Sequence, residues 1–460
     1  MRLGRNVFAP TALRAGVGAG AVVGCVLLLG CAGPELLRSA EVEPLASFRS
    51  HLAERLASES LDRAQAGELA ARIIRREIID SSGESGERSL EPIEKCAAQV
   101  DEALTERADK TDELAARASL LRVTAGSVKA MHYAAHVTDA DPAWRAVGAR
   151  SLTLPAPTAE KDSSANAENL RRAGAWRRKL VADPDQAVRL GAVQAALEAR
   201  DPADADALLE TARLDPDPEV RATAMMAAGA LATADVVRVL RDLWEKLPDE
   251  ERVRVVQAWA RAAQTNPEAR QQLVRATERE HGAATVAAAL ALLAGQKPAE
   301  APADAVVAAA VLGRSIKEGP TRVRVAAIEG APIEWPELLE AVATARADSD
   351  DEVAVAAAER LVGVAKERVK ALLRLRDVAP AIGPAANRAA AALVRLHDHS
   401  VLAVLDRDAR SASAVDRSKA AVAYTELGEF ERALRLLADP DALVRSAAAC
   451  ALVLPAADEP

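Results

Sequence analysis

The sequence predicts an all-α solenoid built from stacked helical hairpins. The first observation behind this is compositional. Of 460 residues, 109 are alanine and only 2% are aromatic. Alanine is the strongest helix former, and most of the residues that favour strands are scarce. Second, half the chain is hydrophobic, with 23 glycines and 23 prolines. That is too apolar for a disordered chain and too poor in turn residues for a low-complexity one. Third, one phrase returns at spacings of 30 to 35 residues from position 183 onward, the 70-residue gap between Val253 and Val323 counting as two units. Self-similarity at that period marks a repeat array.

The elements follow in chain order. Residues 1–14 hold three arginines and no acid, residues 15–30 hold no charge, and Cys31 comes next. This is the pattern of an export signal. Leu28-Leu29-Gly30-Cys31 resembles the lipobox of bacterial lipoprotein precursors. In that family the signal is cut before the cysteine, whose thiol then carries a diacylglycerol. The resemblance implies that residues 1–30 are a signal peptide and that Cys31 is the lipidation site. Ala32 in place of Asp implies outer-membrane sorting, on its periplasmic face. Val22-Val23-Gly24-Cys25 also fits the box but would leave an apolar stub. The alternatives are an uncleaved inner-membrane anchor over Ala15–Gly33, weakened by the glycines at 16, 18, 20, 24 and 30, and simple secretion.

Charge narrows the partners. The chain carries 59 Lys+Arg against 68 Asp+Glu, a net −9. Removing Arg2, Arg5 and Arg14 with the leader leaves 56 against 68, or −12. An acidic chain is repelled by phosphate backbones, so nucleic acid is not expected as a partner. After acylation of Cys31, only Cys96 and Cys450 remain. A disulfide framework needs more cysteines, and pairing these two requires the chain ends to meet. The reading is two free thiols buried in alanine-rich helices.

Residues 31–44 read as a tether from the lipid. Residues 45–140 read as a helical N-terminal module that caps the first repeat. Its helices are expected at Leu45–Ser58, Leu61–Asp80, Pro92–Ala118 and Leu120–Val137, with a Gly/Ser-rich break at Ser81–Ser89. Residues 141–455 are the repeat array, about eight or nine units, and 456–460 a frayed tail.

The phrase is clearest in Asp183-Pro-Asp-Gln-Ala-Val188-Arg189, Asp215-Pro-Asp-Pro-Glu-Val220-Arg221 and Asp439-Pro-Asp-Ala-Leu-Val444-Arg445. Weaker copies end in Val253-Arg254, Val323-Arg324 and Val353-Ala354. Degraded ones lie at Ala284–Leu293, Ala385–Leu396 and Ser418–Leu427, and an early one at Asp141-Pro-Ala-Trp144-Arg145. Asp before Pro is expected to cap a helix start, with the second acid favoured by the helix dipole. Val faces inward, and Ala192 or Ala224 lies one turn further along the same face. Small residues there let neighbouring helices approach closely.

The phrase resembles HEAT repeats, including the PBS-lyase type found in bacteria. Their second helix typically opens Asp-x-x-x-x-Val-Arg-x-x-Ala. The resemblance implies an extended concave surface and arginines that bond neighbouring aspartates and stack the repeats. On that basis Arg189, Arg221, Arg254, Arg324 and Arg445 are structural. Leu427-Gly428-Glu429-Phe430 looks like the turn of a TPR unit and gives the same hairpin. Leu154–Asn166 and Gln296–Asp304 read as loops.

Other constellations carry little chemistry. His132 and His136 share a helix face, but Tyr133 stands where a zincin needs Glu. His397 and His399 cannot share a face. Arg171, Arg172, Arg177, Arg178 and Lys179 form the densest basic run. Lys366, Arg368, Lys370, Arg374 and Arg376 form another. Both read as solvated repeat surface. The five tryptophans are core fillers or partner anchors. No phosphate loop or nucleophile elbow occurs.

The function expected is an exported, lipid-anchored scaffold or adaptor that binds another protein, without enzymatic activity, cofactor or metal. The alternatives are an envelope-organising protein that touches peptidoglycan and, by resemblance to PBS-lyase-type HEAT proteins, a chromophore lyase.

Overall fold

A computed structural model describes residues 35–80, 96, 136–153, 164–279 and 282–453. Among these residues there are 22 α-helices, short 3-10 turns and no strand. Helices α1 (Glu35–Val42), α2 (Leu45–Ser58) and α3 (Arg63–Asp80) come first, followed by α4 (Pro142–Arg150). Nine hairpins then run to the end of the described chain. They are α5/α6 (Ser164–Leu180, Gln186–Ala199), α7/α8 (Ala205–Leu214, Pro218–Leu231) and α9/α10 (Ala234–Trp244, Asp249–Ala262). Next are α11/α12 (Pro267–Thr277, Ala283–Leu293), α13/α14 (Ala303–Glu318, Thr321–Gly330) and α15/α16 (Pro336–Ala345, Asp351–Leu361). The last are α17/α18 (Arg368–Val378, Pro384–Arg395), α19/α20 (Leu402–Asp408, Ala414–Glu426) and α21/α22 (Phe430–Arg435, Ala442–Val453). The expected signal segment, the expected lipidation site Cys31 and His132 lie outside the described residues.

The helix starts differ from expectation by two residues. Asp185 and Asp217, not Asp183 and Asp215, are the N-caps; each accepts from two backbone N–H groups of its helix. Pro184 therefore precedes the cap instead of opening the helix. The first aspartate has another task. Its Oδ1 accepts the N–H of the cap residue itself, at 3.0 Å for Asp183, 2.9 Å for Asp215 and 2.8 Å for Asp439. Two carboxylates thus satisfy successive orphan donors at one helix entrance.

The hairpins stack in two layers. Most successive second helices lie directly against one another, while successive first helices touch more sparingly, α13 and α15 excepted. Two glycines mark how close the second helices come. A Cβ on Gly229 of α8 would stand 2.5 Å from Ala258 Cα of α10, and one on Gly191 of α6 would stand 3.0 Å from Ala146 O of α4. Ala192 and Ala224 are fully buried. First helices supply bulkier side chains to the same core, among them Leu208, Leu240, Leu312, Leu338 and Leu375. A stack whose second layer is more tightly spaced curves toward that layer, so the second helices form the inner face.

The N-terminal helices sit at the opposite end from the one expected. They cap the last repeat, not the first. Helix α3 runs along α22, and α2 lies against α21 and the turn that follows it. The α2–α3 hairpin therefore stacks as one more layer beyond α21–α22. Arg63 Nη1 donates to Leu452 O at 2.7 Å, and Gly67 lets the two helices close up at the same carbonyl. The reason lies in α22, which buries every residue from Val444 to Leu452. With α20 on one side, its other side needs an apolar cover, and Leu69, Ala70, Ile73 and Ile74 of α3 are themselves buried. The expected tether is also shorter than read from sequence. Residues 35–42 are helix α1, packed on α2 and α3 with Leu36 and Ala40 fully buried.

Candidate functional site

The repeat phrase builds a ladder between layers. Arg189 donates through Nε and Nη2 to both carboxylate oxygens of Asp215 in the next unit, at 2.7 and 3.0 Å. Its Nη1 reaches back to the carbonyls of Asp183 and Pro184, at 3.0 and 3.1 Å. Arg145 grips Asp183 in the same two-pronged way at 3.0 Å, and Arg417 grips Asp439 at 2.7 and 2.9 Å. Arg324 pairs with Asp348. Arg221 and Arg445 make the backward bonds, to Asp215 and Pro216 and to Asp439 and Pro440. Every one of these guanidiniums except Arg324, whose Nε donates to Ile316 O, bonds the carbonyls at its own helix entrance, and four of the six also hold the next unit.

Electrostatics follow this geometry. Burial pushes the Asp183 carboxyl up, but hydrogen bonds from Arg145 and the Asp185 N–H outweigh it and hold the group below the ordinary range. The hydrogen bond from Arg324 depresses Asp348. The bond to Asp215 raises Arg189 further above its ordinary value. Val188, Val220 and Val444 are fully buried behind the ladder, and Arg189 and Arg445 are themselves buried. These arginines are committed to holding the stack.

One rung falls elsewhere than the spacing suggested. Arg254 is exposed and bonds only Gln257, one turn along its own helix, and Val253 is half-buried. Arg252 occupies the ladder position and donates to Trp244 O at 3.0 Å, while Val255 and Val256 fill the core. The unit opens Pro248-Asp249-Glu250 instead of Asp-Pro-Asp. Its nearest acid to Arg221 is Glu251, at 3.7 Å. Helix α10 starts at Asp249, which shifts the register by two.

The two cysteines read as free thiols form a disulfide, Cys96–Cys450, with Cα atoms 5.5 Å apart and 354 positions between them in sequence. The chain ends do meet, because α2–α3 stacks on α21–α22. Cys450 lies nine residues past Asp441, which caps α22 by accepting Leu443 N–H. Gln194, Met226 and Gln257 hold the same place on their helices and are part-exposed on the inner face. Along that face the character changes. It is apolar around Leu190, Leu197 and Met226 and charged further on, where Arg388 bridges Glu329 and Glu359. A cleft of about 430 Å³ opens where the Gln296–Asp304 loop separates two units, lined in part by Leu293, Lys297, Pro332 and Glu334.

The remaining candidates are absorbed by packing. Arg177 is 1% exposed, clamped by Asp204 at 2.8 Å and Asp201 at 3.1 Å. Arg178 joins Asp204, and Lys179 lies over Trp176. Arg177 and Arg178 thus form an internal clamp, while Arg171, Arg172 and Lys179 of the same run are exposed, as expected. In the second run Arg374 and Arg376 pair with Asp351 and Asp398, while Lys366 and Arg368 stay exposed. His136 stacks on Trp144, and His399 faces Glu429. Trp144, Trp244, Trp259 and Trp335 are buried. Among the described residues no group of three or more His, Cys, Asp or Glu is placed to hold a metal.

No curated protein matches the chain. Among solved structures, a Kap121p mutant aligns over 90% of this chain and 50% of its own, at 14% identity and a TM-score of 0.34. Kap121p bound to Nup53p aligns over 92% and 50%, at 15% identity and a TM-score of 0.31. The chain thus spans about half the length of these structures. Residues 174–260, from within α5 to within α10, match the family model described as HEAT repeats.

Proposed function

We propose that this chain is an exported, lipid-anchored scaffold that binds a partner protein along the inner face of its second helices. The observation that carries the reading is the continuity of that face. Each unit contributes the same helix edge to one extended surface, which suits an elongated partner. The match of residues 174–260 to HEAT repeats supports the same reading. The Cys96–Cys450 bond supports export, because such bonds persist in oxidising compartments. In this reading Cys31 carries the lipid and the protein catalyses no reaction.

Crosslinking in the native cell tests it, followed by affinity purification of a tagged chain and mass spectrometry. One dominant envelope protein, lost when Gln194 and Met226 are both changed to Arg, is the expected result. No protein above background, with the chain folded and abundant, would overturn the scaffold reading. Co-sedimentation with purified sacculi in that case would move the assignment to a peptidoglycan-contacting role.

A further inference from the structure

Helix α1 is fixed to the end of the stack rather than strung from it. Leu36 and Ala40 are fully buried against α2 and α3. The Leu36 N–H donates to Glu59 at 3.3 Å. Arg76 donates to the carbonyls of Ala40 and Glu43, at 2.7 and 2.6 Å, and Arg72 donates to Leu37 O. α1 packs on the α2–α3 layer, itself the layer beyond α21–α22. The first residue of α1 is Glu35, so only Ala32–Pro34 separate it from Cys31. Four Cα–Cα steps reach about 14 Å at full extension. A lipid on Cys31 leaves no slack for the stack to swing freely.

We infer that the α1–α3 end is a membrane-apposed surface and that the solenoid stands on the bilayer by this end. This rests on the lipid-anchored reading above. Val42, at the C-terminal end of α1, is 81% exposed. From α3 to α4 the inner face comprises eleven second-helix positions. At 8–10 Å per step it runs about 80–100 Å along its contour, starting at the lipid surface and leading away from it. The partner would then meet the charged α14–α18 stretch nearer the membrane and the apolar α6–α8 stretch at the far end. The surface addressed is that of a phospholipid bilayer, met because of the tether length.

The test uses full-length, lipidated protein in phosphatidylcholine vesicles containing lipid with a nitroxide on its headgroup. With Cys96 and Cys450 paired and Cys31 acylated, a thiol dye reports a single introduced site. Val42→Cys and Ala187→Cys, the latter exposed at the start of α6, mark the two ends. The expected result is several-fold stronger quenching at position 42 than at 187. Inserting ten Gly/Ser residues after Ala32 should remove most of that difference while the protein still floats with vesicles. Equal quenching at both sites, or stronger quenching at 187, would overturn the orientation while leaving the anchor intact. Cys31→Ser separates the two claims: loss of flotation is expected. Flotation that persists would overturn the anchor reading and this inference with it.

Discussion

Replacing Arg189 by Met should weaken the stack at one identifiable joint. The substitution removes two charge-assisted bonds to Asp215 and two bonds to the carbonyls of Asp183 and Pro184. The Asp215 side chain is 4% exposed, so it would be left charged and buried. Removing one partner of a buried pair costs about 3–5 kcal/mol. Asp215 keeps its bond from Asp217 N–H, which places the cost near 3 kcal/mol at the lower end of that range. The methylene stem is retained by Met, so packing loss adds little. Urea unfolding followed by circular dichroism gives the total, and hydrogen exchange locates it. Faster exchange should appear in α6–α8 and be absent in α20–α22, because layers interact only with their neighbours. The double variant with Asp215→Asn completes a cycle, with an expected coupling of roughly 1–3 kcal/mol. Arg254→Met is the control and should stay within about 0.5 kcal/mol, as an exposed residue outside the ladder. Arg189→Met behaving like Arg254→Met, or an additive cycle, would refute the ladder.

Ala224→Glu places a charge at a fully buried position and should cost several kcal/mol, on the order of an unpaired buried charge, read from the urea midpoint. Gly229→Ala should also destabilise by about 1–3 kcal/mol, because the added Cβ meets the Ala258 backbone. Ala is otherwise favoured over Gly in helices by about 1 kcal/mol, so a stabilised variant would refute the close approach. Cys450→Ser opens a loop spanning 354 positions and should cost about 6 kcal/mol by loop entropy. It should also speed exchange in α3 and α22; unchanged exchange there would mean the hairpin does not stack as described. Asp183 and Asp348 lie below the ordinary carboxyl range when folded. Their stabilising contribution is therefore complete above about pH 4 and lost as pH falls through the folded values. Arg324→Met should flatten the loss of stability below about pH 4, and an unchanged slope there would exclude the Asp348 contribution.

The solenoid was legible because its phrase states helix entrance, inward Val and small contact residue at fixed offsets. The same phrase misled on the cap, since either of two aspartates two residues apart can accept from a helix N-terminus. Arg254 misled because Val-Arg recurs there out of phase with the actual helix start. Neither the place of the N-terminal hairpin nor the disulfide follows from chain order, since helices stack by surface and not by sequence. One signal was available: α22 reads Ala-Leu-Val-Arg-Ser-Ala-Ala-Ala-Cys-Ala-Leu-Val, without the polar outer side of a terminal repeat. A last helix of that composition requires a cover. The inner-face residues could be counted from the caps once those were known. The partner's chemistry is a property of the assembled surface and is not written in any one repeat.

The inner face is expected to receive a protein. Photo-crosslinking amino acids placed singly at Gln194, Met226 and Gln257 test it against Glu210 and Gln271 on exposed first-helix positions. Adducts to one and the same protein are expected from the three inner positions and none from the two outer ones. Adducts from the outer positions alone, or equally from all five, would contradict it.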